Sequence, residues 1–349
     1  MNEKLLSLIE KLEKEHSLSF EEYEYLIENR NDEAALLLRE KAQRVRKENY
    51  GNDVYIRGLI EIGNYCKNNC LYCGIRAGNR TCERYRLNEE EILSCCEQGY
   101  KLGFRTFVMQ GGEDDYFSDE RMCRIISEIK NRYPDCAVTL SLGEKSRESY
   151  QRLFDAGADR YLLRHETADK EHYEKLHPIG MSFENRMRCL NDLKEIGFQV
   201  GCGFMVGSPY QTNRHIAKDL KFIETFKPDM CGIGPFVPHR ATPFSEYEQG
   251  TVELTCYLLS IIRLICPHIL LPSTTALGTI DPNGREKGIL SGANVVMPNL
   301  SPEEFRSKYE LYNNKISTGA ESAQQKNGLA GRMEKIGYKI VTARGDVKK

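Results

Sequence analysis

The stretch Tyr55-Ile56-Arg57-Gly58-Leu59-Ile60-Glu61-Ile62-Gly63-Asn64-Tyr65-Cys66-Lys67-Asn68-Asn69-Cys70-Leu71-Tyr72-Cys73 joins an apolar, β-branched run to a loop with cysteines spaced C-x3-C-x2-C. Ile-rich runs bounded by Gly and Asn are strand signals, so the cysteines follow the end of a strand. Three thiolates hold three corners of a cubane iron–sulfur cluster and leave the fourth iron open to a small molecule. A zinc knuckle is the competing reading, and it asks for a fourth Cys or His at paired spacing. The next cysteine, Cys82, lies nine residues past Cys73 without such a partner. Chemistry at an open iron is the leading expectation from this segment.

Outward from this stretch the same alternation recurs. Strands are expected at 106–110, 137–141, 160–164, 199–206, 230–233, 269–273 and 293–297, separated by charged helical stretches such as NEEEILSCCEQGYKLG and ENRMRCLNDLKEIG. With 55–62 this makes eight strand–helix repeats and no hairpin signal. Parallel neighbours need a crossover connection, and a helix supplies it. The expected fold is α/β: a (β/α)8 TIM-type barrel over residues 53–300, with an N-terminal helical extension over 1–52 and a C-terminal helix and tail over 301–349. An open six-strand partial barrel is the alternative. Ser19 opens a capping box and Asp32 is expected to cap the next helix, while PEEFRSKYELYN reads as a helix and the residues after it as a peripheral tail.

Composition narrows the function class. With 49 Lys and Arg against 51 Asp and Glu in 349 residues and no basic block, nothing marks a nucleic-acid or acidic-membrane partner. The start, MNEKLLSLIEKLEKEH, is apolar at helical spacing but interrupted by charges, unlike a signal peptide, and a cytoplasmic location is expected. The chain has 13 cysteines. Outside the loop, Cys95-Cys96 fall on an expected helix, and Cys123, Cys136, Cys189, Cys202, Cys231, Cys256 and Cys266 read as small buried hydrophobes.

In a parallel barrel the loops after the strands share one rim, so motifs distant in sequence meet there. Gln110-Gly111-Gly112-Glu113 follows the second strand; its glycines let backbone approach a ligand and its acid can receive an ammonium. Thr139 and Ser141 share one face of the third strand. On the fourth, Arg160, Leu162, Arg164 and Glu166 share a face, with Tyr161, Leu163 and His165 opposite. Inward charges there require a polar ligand, or else a structural Arg164–Glu166 pair at the rim, and His165 reads as a helix-packing residue. Thr274 and Thr275 offer hydroxyls after the seventh strand. Arg57 and Glu61 share a face of the first strand, and with Arg160 they give the lumen cationic groups suited to an anionic or carboxylate-bearing substrate.

The cysteine loop with an aromatic before its third cysteine, followed one strand later by MQGGED, resembles the radical S-adenosylmethionine (SAM) superfamily. In that superfamily SAM chelates the open iron, and the reduced cluster cleaves its sulfonium to methionine and a 5′-deoxyadenosyl radical. The strings VTLSLGE, ADRYLLRHETA, SFENR, MVGSPYQT, GIGPFVPH, STTALGTI, GREKGILSGANVVMPN and YELY extend the resemblance from Ile60 to Tyr312. Together they are similar to the HydE maturase family of iron-only (FeFe) hydrogenase, in the biotin synthase and methylornithine synthase branch.

The resemblance implies one 4Fe-4S cluster on Cys66, Cys70 and Cys73 as the catalytic centre. It implies SAM contacts from Tyr72, Gln110, Gly112, Glu113, Thr139, Ser141, Arg164, Glu166, Arg186, Met205, Met230 and Tyr312, and substrate contacts from Arg57, Arg160, Thr274, Thr275 and Tyr309. The implied function is reductive SAM cleavage in assembly of the two-iron subcluster of the H-cluster. The substrate would be a small or organometallic product of a partner maturase, and a low-potential ferredoxin or flavodoxin would supply electrons. A methylornithine synthase-like amino-acid mutase and a non-enzymatic iron–sulfur or zinc scaffold are the alternatives. Some family members carry a second cluster near the C-terminus; the last cysteine here is Cys266, so a single cluster is expected.

Overall fold

The structure, a computed structural model, describes residues 2–317 and 322–348. Local capping chemistry sets its first helices, α1 (Glu3–Glu15), α2 (Phe20–Glu28) and α3 (Asp32–Tyr50). Ser19 and Glu22 form the expected capping box at α2. At α3 the cap falls one residue earlier than expected. The Asn31 side chain accepts the Ala34 amide, and Asp32 instead puts its charge in the first turn, where the helix dipole favours it.

The first expected strand is divided into β1 (Asp53–Ile56) and β2 (Gly58–Gly63), because the ladder changes neighbours at Arg57. Next come α4 (Glu89–Lys101), β3 (Thr106–Gly111), α5 (Asp119–Arg132), β4 (Ala137–Ser141), α6 (Arg147–Asp155) and β5 (Arg160–Leu162). They are followed by α7 (Lys170–Leu176), α8 (Phe183–Ile196), β6 (Gln199–Cys202), β7 (Met205–Val206), α9 (Asn213–Phe226), β8 (Met230–Cys231) and β9 (Gly234–Pro235). The chain then forms α10 (Val252–Ile265), α11 (Thr275–Ile280), α12 (Gly284–Leu290), β10 (Val295–Val296), α13 (Glu303–Arg306), α14 (Lys326–Lys335) and β11 (Lys339–Val341). The helices α2 and α3 pack against α9 and α10 on the outside.

A regular parallel ladder runs β2-β3-β4-β5-β6-β8. The other side of the barrel closes with shorter pairings: the bridges Met230–Leu270, Pro272–Val295 and Leu59–Asn299, and the β1–β10 pair. This is the expected TIM-type barrel, with its seventh strand reduced to single bridges. Register fixes what faces the lumen. Gln110 lies opposite Glu61 on one side and Ser141 on the other, while Thr139, opposite Arg160, is a level lower. The intervening Ile60, Ile62, Met109 and Leu140 are buried in the apolar layer beneath the helices. Among the described residues no helix is long and apolar enough to cross a membrane.

Two expectations for the C-terminal region are corrected. The helix over 302–313 stops at Arg306, and the following segment crosses the mouth of the barrel as a strap. Its backbone groups are taken elsewhere: Leu311 O accepts the Gly74 amide at 2.8 Å, and the Asn313 amide donates to Pro238 O at 3.0 Å. The tail is not peripheral either. β11 adds in parallel to β1, and residues 344–348 run beneath the N-terminal end of the barrel. There Arg160 donates to Asp346 Oδ1 at 2.5 Å and to Arg344 O at 2.9 Å, and Thr106 Oγ1 donates to Arg344 O at 2.7 Å.

Candidate active site

A cavity of about 340 Å³ opens at the C-terminal ends of the strands, and Cys66, Cys70 and Cys73 all face it. Their loop is held by backbone hydrogen bonds and by the half-buried cation of Arg84. Lys67 N donates to Glu113 O and Ala77 N to Asn68 O, each at 2.8 Å, and the Arg84 guanidinium donates to the carbonyls of Ile75 and Arg76. Burial pushes all three thiols up, Cys73 to about 12, and at Cys70 the neighbouring cysteines add to the effect. Alone they are neutral; a bound iron is the kind of cation that converts such thiols to thiolates. Among the described residues no three His, Cys, Asp or Glu side chains converge on one point as a single ion requires. The thiolates of a cubane each meet a different iron and need no such point.

Tyr72, between the second and third cysteines, is anchored by His177. Burial pulls His177 down to about 3, so its imidazole is neutral. Its Nδ1 donates to Tyr173 O at 2.9 Å, which leaves Nε2 to accept the Tyr72 hydroxyl at 3.1 Å. Met181 closes the same side, its sulfur 3.7 Å from Cys70 Sγ.

The wall opposite the thiols is polar and incompletely paired. Gly112, after β3, passes so near the cysteine loop that a Cβ there would lie 2.3 Å from Tyr65 O and 2.6 Å from Cys66 Cβ. Glu113 Oε1 accepts the Glu144 amide at 2.9 Å, and Oε2 stands 3.7 Å from Lys67 Nζ. Glu166 has φ 63, a left-handed conformation that a non-glycine residue adopts at a cost. Its Oε2 lies 3.7 Å from Arg164 Nη2, beyond hydrogen-bond reach. Among the described residues Arg164 Nε and Nη2, Glu166 Oε2 and Thr274 Oγ1 are buried with no hydrogen-bond partner. Buried polar atoms are ordinarily satisfied, so unpaired cation and carboxylate atoms around one cavity fit a zwitterionic ligand such as an amino acid derivative. Arg186, on α8, donates to Glu144 Oε1 at 2.6 Å and to Arg164 O at 2.5 Å, which fixes the backbone that carries Arg164. Met205, Phe236 and Val237 give the cavity an apolar flank.

Most of the residues expected from sequence converge here. Tyr72, Gln110, Gly112, Glu113, Ser141, Arg164, Glu166, Arg186, Met205, Thr274, Thr275, Tyr309 and Tyr312 line the cavity with the three cysteines. Thr139, Met230, Arg57 and Arg160 do not. Thr139 is a level lower, its buried hydroxyl unpartnered among the described residues. Met230 Sδ accepts from Arg57 Nη1 at 2.9 Å. Arg160 is fully buried and committed to the barrel floor, where Thr106, Gln199, Arg344 and Asp346 take its donors. Its expected place beside a substrate is therefore corrected: the tail supplies the anion it was expected to bind. His165, as expected, faces outward, its Nε2 3.3 Å from Asp219 Oδ1 on α9.

Residues 60–223 match the radical SAM superfamily. The [FeFe] hydrogenase maturase subunit HydE of Thermotoga maritima is 46% identical over 275 residues, 79% of this chain and 78% of that protein. This chain belongs to the HydE family. It is a radical SAM enzyme, and members of that superfamily bind a 4Fe-4S cluster and SAM. The 3-methylornithine synthase of Methanosarcina acetivorans is 29% identical over 306 residues, covering 86% of each chain. Among solved structures, methylornithine synthase (PylB) superposes with a TM-score of 0.84 at 25% identity, over 96% of this chain and 97% of that one. HydG, a maturase of the [FeFe]-hydrogenase, shares the fold at TM-score 0.81 and 21% identity, over 97% of this chain and 76% of that one.

The HydE-family cavity also contains residues that sequence reasoning passed over. Met181 carries no motif, and Leu311, though inside the YELY string, is not singled out by it. Lys315, outside the cavity lining, carries no motif either and reaches Glu61 from the strap. Arg84 is one of several arginines after the cysteines; only the fold singles it out as the loop's internal brace.

Proposed function

We propose that this HydE-family chain acts in the cytoplasm in assembly of the two-iron subcluster of hydrogenase, on an organometallic or other small substrate delivered by a partner maturase. Cys66, Cys70 and Cys73 would hold a four-iron cluster, which when bound and reduced would supply the electron for cleavage of SAM to methionine and a 5′-deoxyadenosyl radical. The chain's own residues do the rest. Glu113 and the backbone at Gly112 receive the ammonium of SAM, and Arg164, Glu166 and Ser141 take its other polar groups. Arg186 holds Arg164 in place, and Met205 with Phe236 excludes water from the apolar flank. Thr274, Thr275 and Tyr309 face the substrate, with Arg57 beneath them, and Thr139 and Met230 support the SAM side from a level lower. A low-potential ferredoxin or flavodoxin donates the electron.

The observation that carries this reading is the meeting of three half-buried thiols with unpaired Arg164, Glu166 and Thr274 atoms at one cavity. Anaerobic reconstitution followed by reduction with SAM should release methionine and 5′-deoxyadenosine, and the protein should restore hydrogenase activation to a maturation mixture lacking its HydE. Release of both products without restoration would shift the assignment to the second reading, an amino-acid mutase like methylornithine synthase, favoured by the 0.84 superposition. Formation of methylornithine from lysine would establish that reading.

A further inference from the structure

Among the described residues a buried ion pair fastens the strap that crosses the barrel mouth. Lys315 Nζ lies 2.5 Å from Glu61 Oε1, with the lysine side chain 7% exposed and the glutamate 0%. Glu61 is otherwise met by neutral groups: Asn299 Nδ2 donates to its second oxygen at 2.9 Å, and its amide donates to Ser301 Oγ at 2.8 Å. A buried carboxylate stripped of its cation is strongly disfavoured, so the pair holds both ends firmly.

Both ends matter to the cavity. Glu61 stands on β2 directly opposite Gln110, at the level where the polar wall begins. Lys315 Nζ lies 5.2 Å from the ring centre of Tyr309, whose hydroxyl accepts Gln110 Nε2 at 3.3 Å. Between Tyr309 and Lys315 the strap contributes Leu311 and Tyr312 to the cavity wall. It also lies against the cysteine loop, so tightly that a Cβ on Gly74 would fall 2.1 Å from Glu310 O. Among the described residues its other ties include the Gly74–Leu311 and Asn313–Pro238 backbone bonds, Asn64 Nδ2 to Lys308 O at 2.7 Å, Arg240 N to Asn313 Oδ1 at 3.0 Å, Ile316 N to Thr279 Oγ1 at 3.4 Å, a Glu310–His239 contact, and ion pairs of Lys308 with Glu83 and Glu310 with Arg240. The Arg240–Glu310 and Lys308–Glu83 pairs lie toward solvent, Arg240 being 67% and Glu83 73% exposed, and are weak fasteners, whereas His239 is buried and meets Glu310 only at 3.5 Å.

We propose that Lys315 is a positioning residue of this cavity. By seating its ammonium on Glu61 it latches the strap across the barrel mouth, and so sets Tyr309 and Tyr312 as the outer wall and presses the strap against the cysteine loop. The inference concerns the wall of the cavity whatever is processed inside, and it stands apart from the substrate assignment.

The test compares Lys315→Met and Lys315→Arg with the parent, all full length, by amide hydrogen exchange on cluster-free protein. A latch predicts about tenfold faster exchange in peptides covering 307–316 for Lys315→Met and recovery to within about twofold for Lys315→Arg, with β3 and β4 peptides unmoved. In reconstituted protein the same Lys315→Met change should raise the KM for SAM more than it lowers kcat for 5′-deoxyadenosine release. Unchanged strap exchange, or a rise shared by the whole barrel, would overturn the proposal. Should Lys315→Met not fold, Glu61→Gln keeps the Asn299 contact and is judged by the same localised or uniform pattern.

Discussion

The two ends of this barrel carry similar charges and treat them in opposite ways. At the floor, all three nitrogens of Arg160 donate, to Gln199, Thr106, Arg344 and Asp346. At the rim, Arg164 and Glu166 are four and six residues further along the same face, yet stand 3.7 Å apart with buried atoms that bond to nothing among the described residues. A satisfied buried pair belongs to the folded state itself, whereas an unsatisfied one is tolerable only where a ligand completes it. The floor is thus structure and the rim is site, as barrel architecture generally assigns its two ends.

This contrast breaks or sharpens under substitution. The largest effect is at the cysteines: Cys66→Ala, Cys70→Ala or Cys73→Ala should take reconstituted iron from about four per chain to background and abolish 5′-deoxyadenosine release, measured by iron assay and chromatography. Arg164→Met should weaken SAM binding by about 10- to 100-fold, the worth of a charge-assisted hydrogen bond, while leaving unfolding free energy within about 0.5 kcal/mol of the parent. Asp346→Asn should reverse that pattern. Denaturant unfolding should show a loss of about 1–2 kcal/mol, because Arg160 keeps its burial without a carboxylate that is itself 38% exposed and partly screened, and SAM affinity should hold within about twofold. Loss of SAM affinity in the floor variant, or of stability in the rim variant, would dissolve the distinction.

Acidification gives the mildest test. Burial alone would raise the Asp346 carboxyl, but the hydrogen bond from Arg344 and the charge of Arg160 hold it well below the usual carboxylate range. A depressed carboxyl contributes stability that is complete above its unfolded pKa of about 4 and drains as pH falls through the folded value. The parent should therefore lose stability faster than Asp346→Asn as pH drops below about 4, by urea unfolding across the series.

The sequence made the repeat pattern legible because each strand and helix announces itself locally, through β-branched runs and capping residues such as Ser19. It made the cysteine loop legible because spacing alone constrains a cluster. What it hid was non-local. Arg160 and Asp346 are 186 residues apart, and no local pattern says that Arg344-Gly345-Asp346 returns to seal the floor. Tyr309 and Tyr312 sit at helical spacing, but the cysteine loop and the Pro238 carbonyl capture the strap's backbone first. Lys315 is a single lysine in a polar run, and its meaning depends wholly on Glu61, 254 residues earlier.

The most direct measurement is EPR of the anaerobically reconstituted, reduced protein with and without SAM. An iron–sulfur signal that changes when SAM is added is the result this account predicts, since three thiolates leave one iron for SAM and the rim supplies its unpaired polar partners. A signal indifferent to SAM, or no four-iron cluster at all, would contradict it.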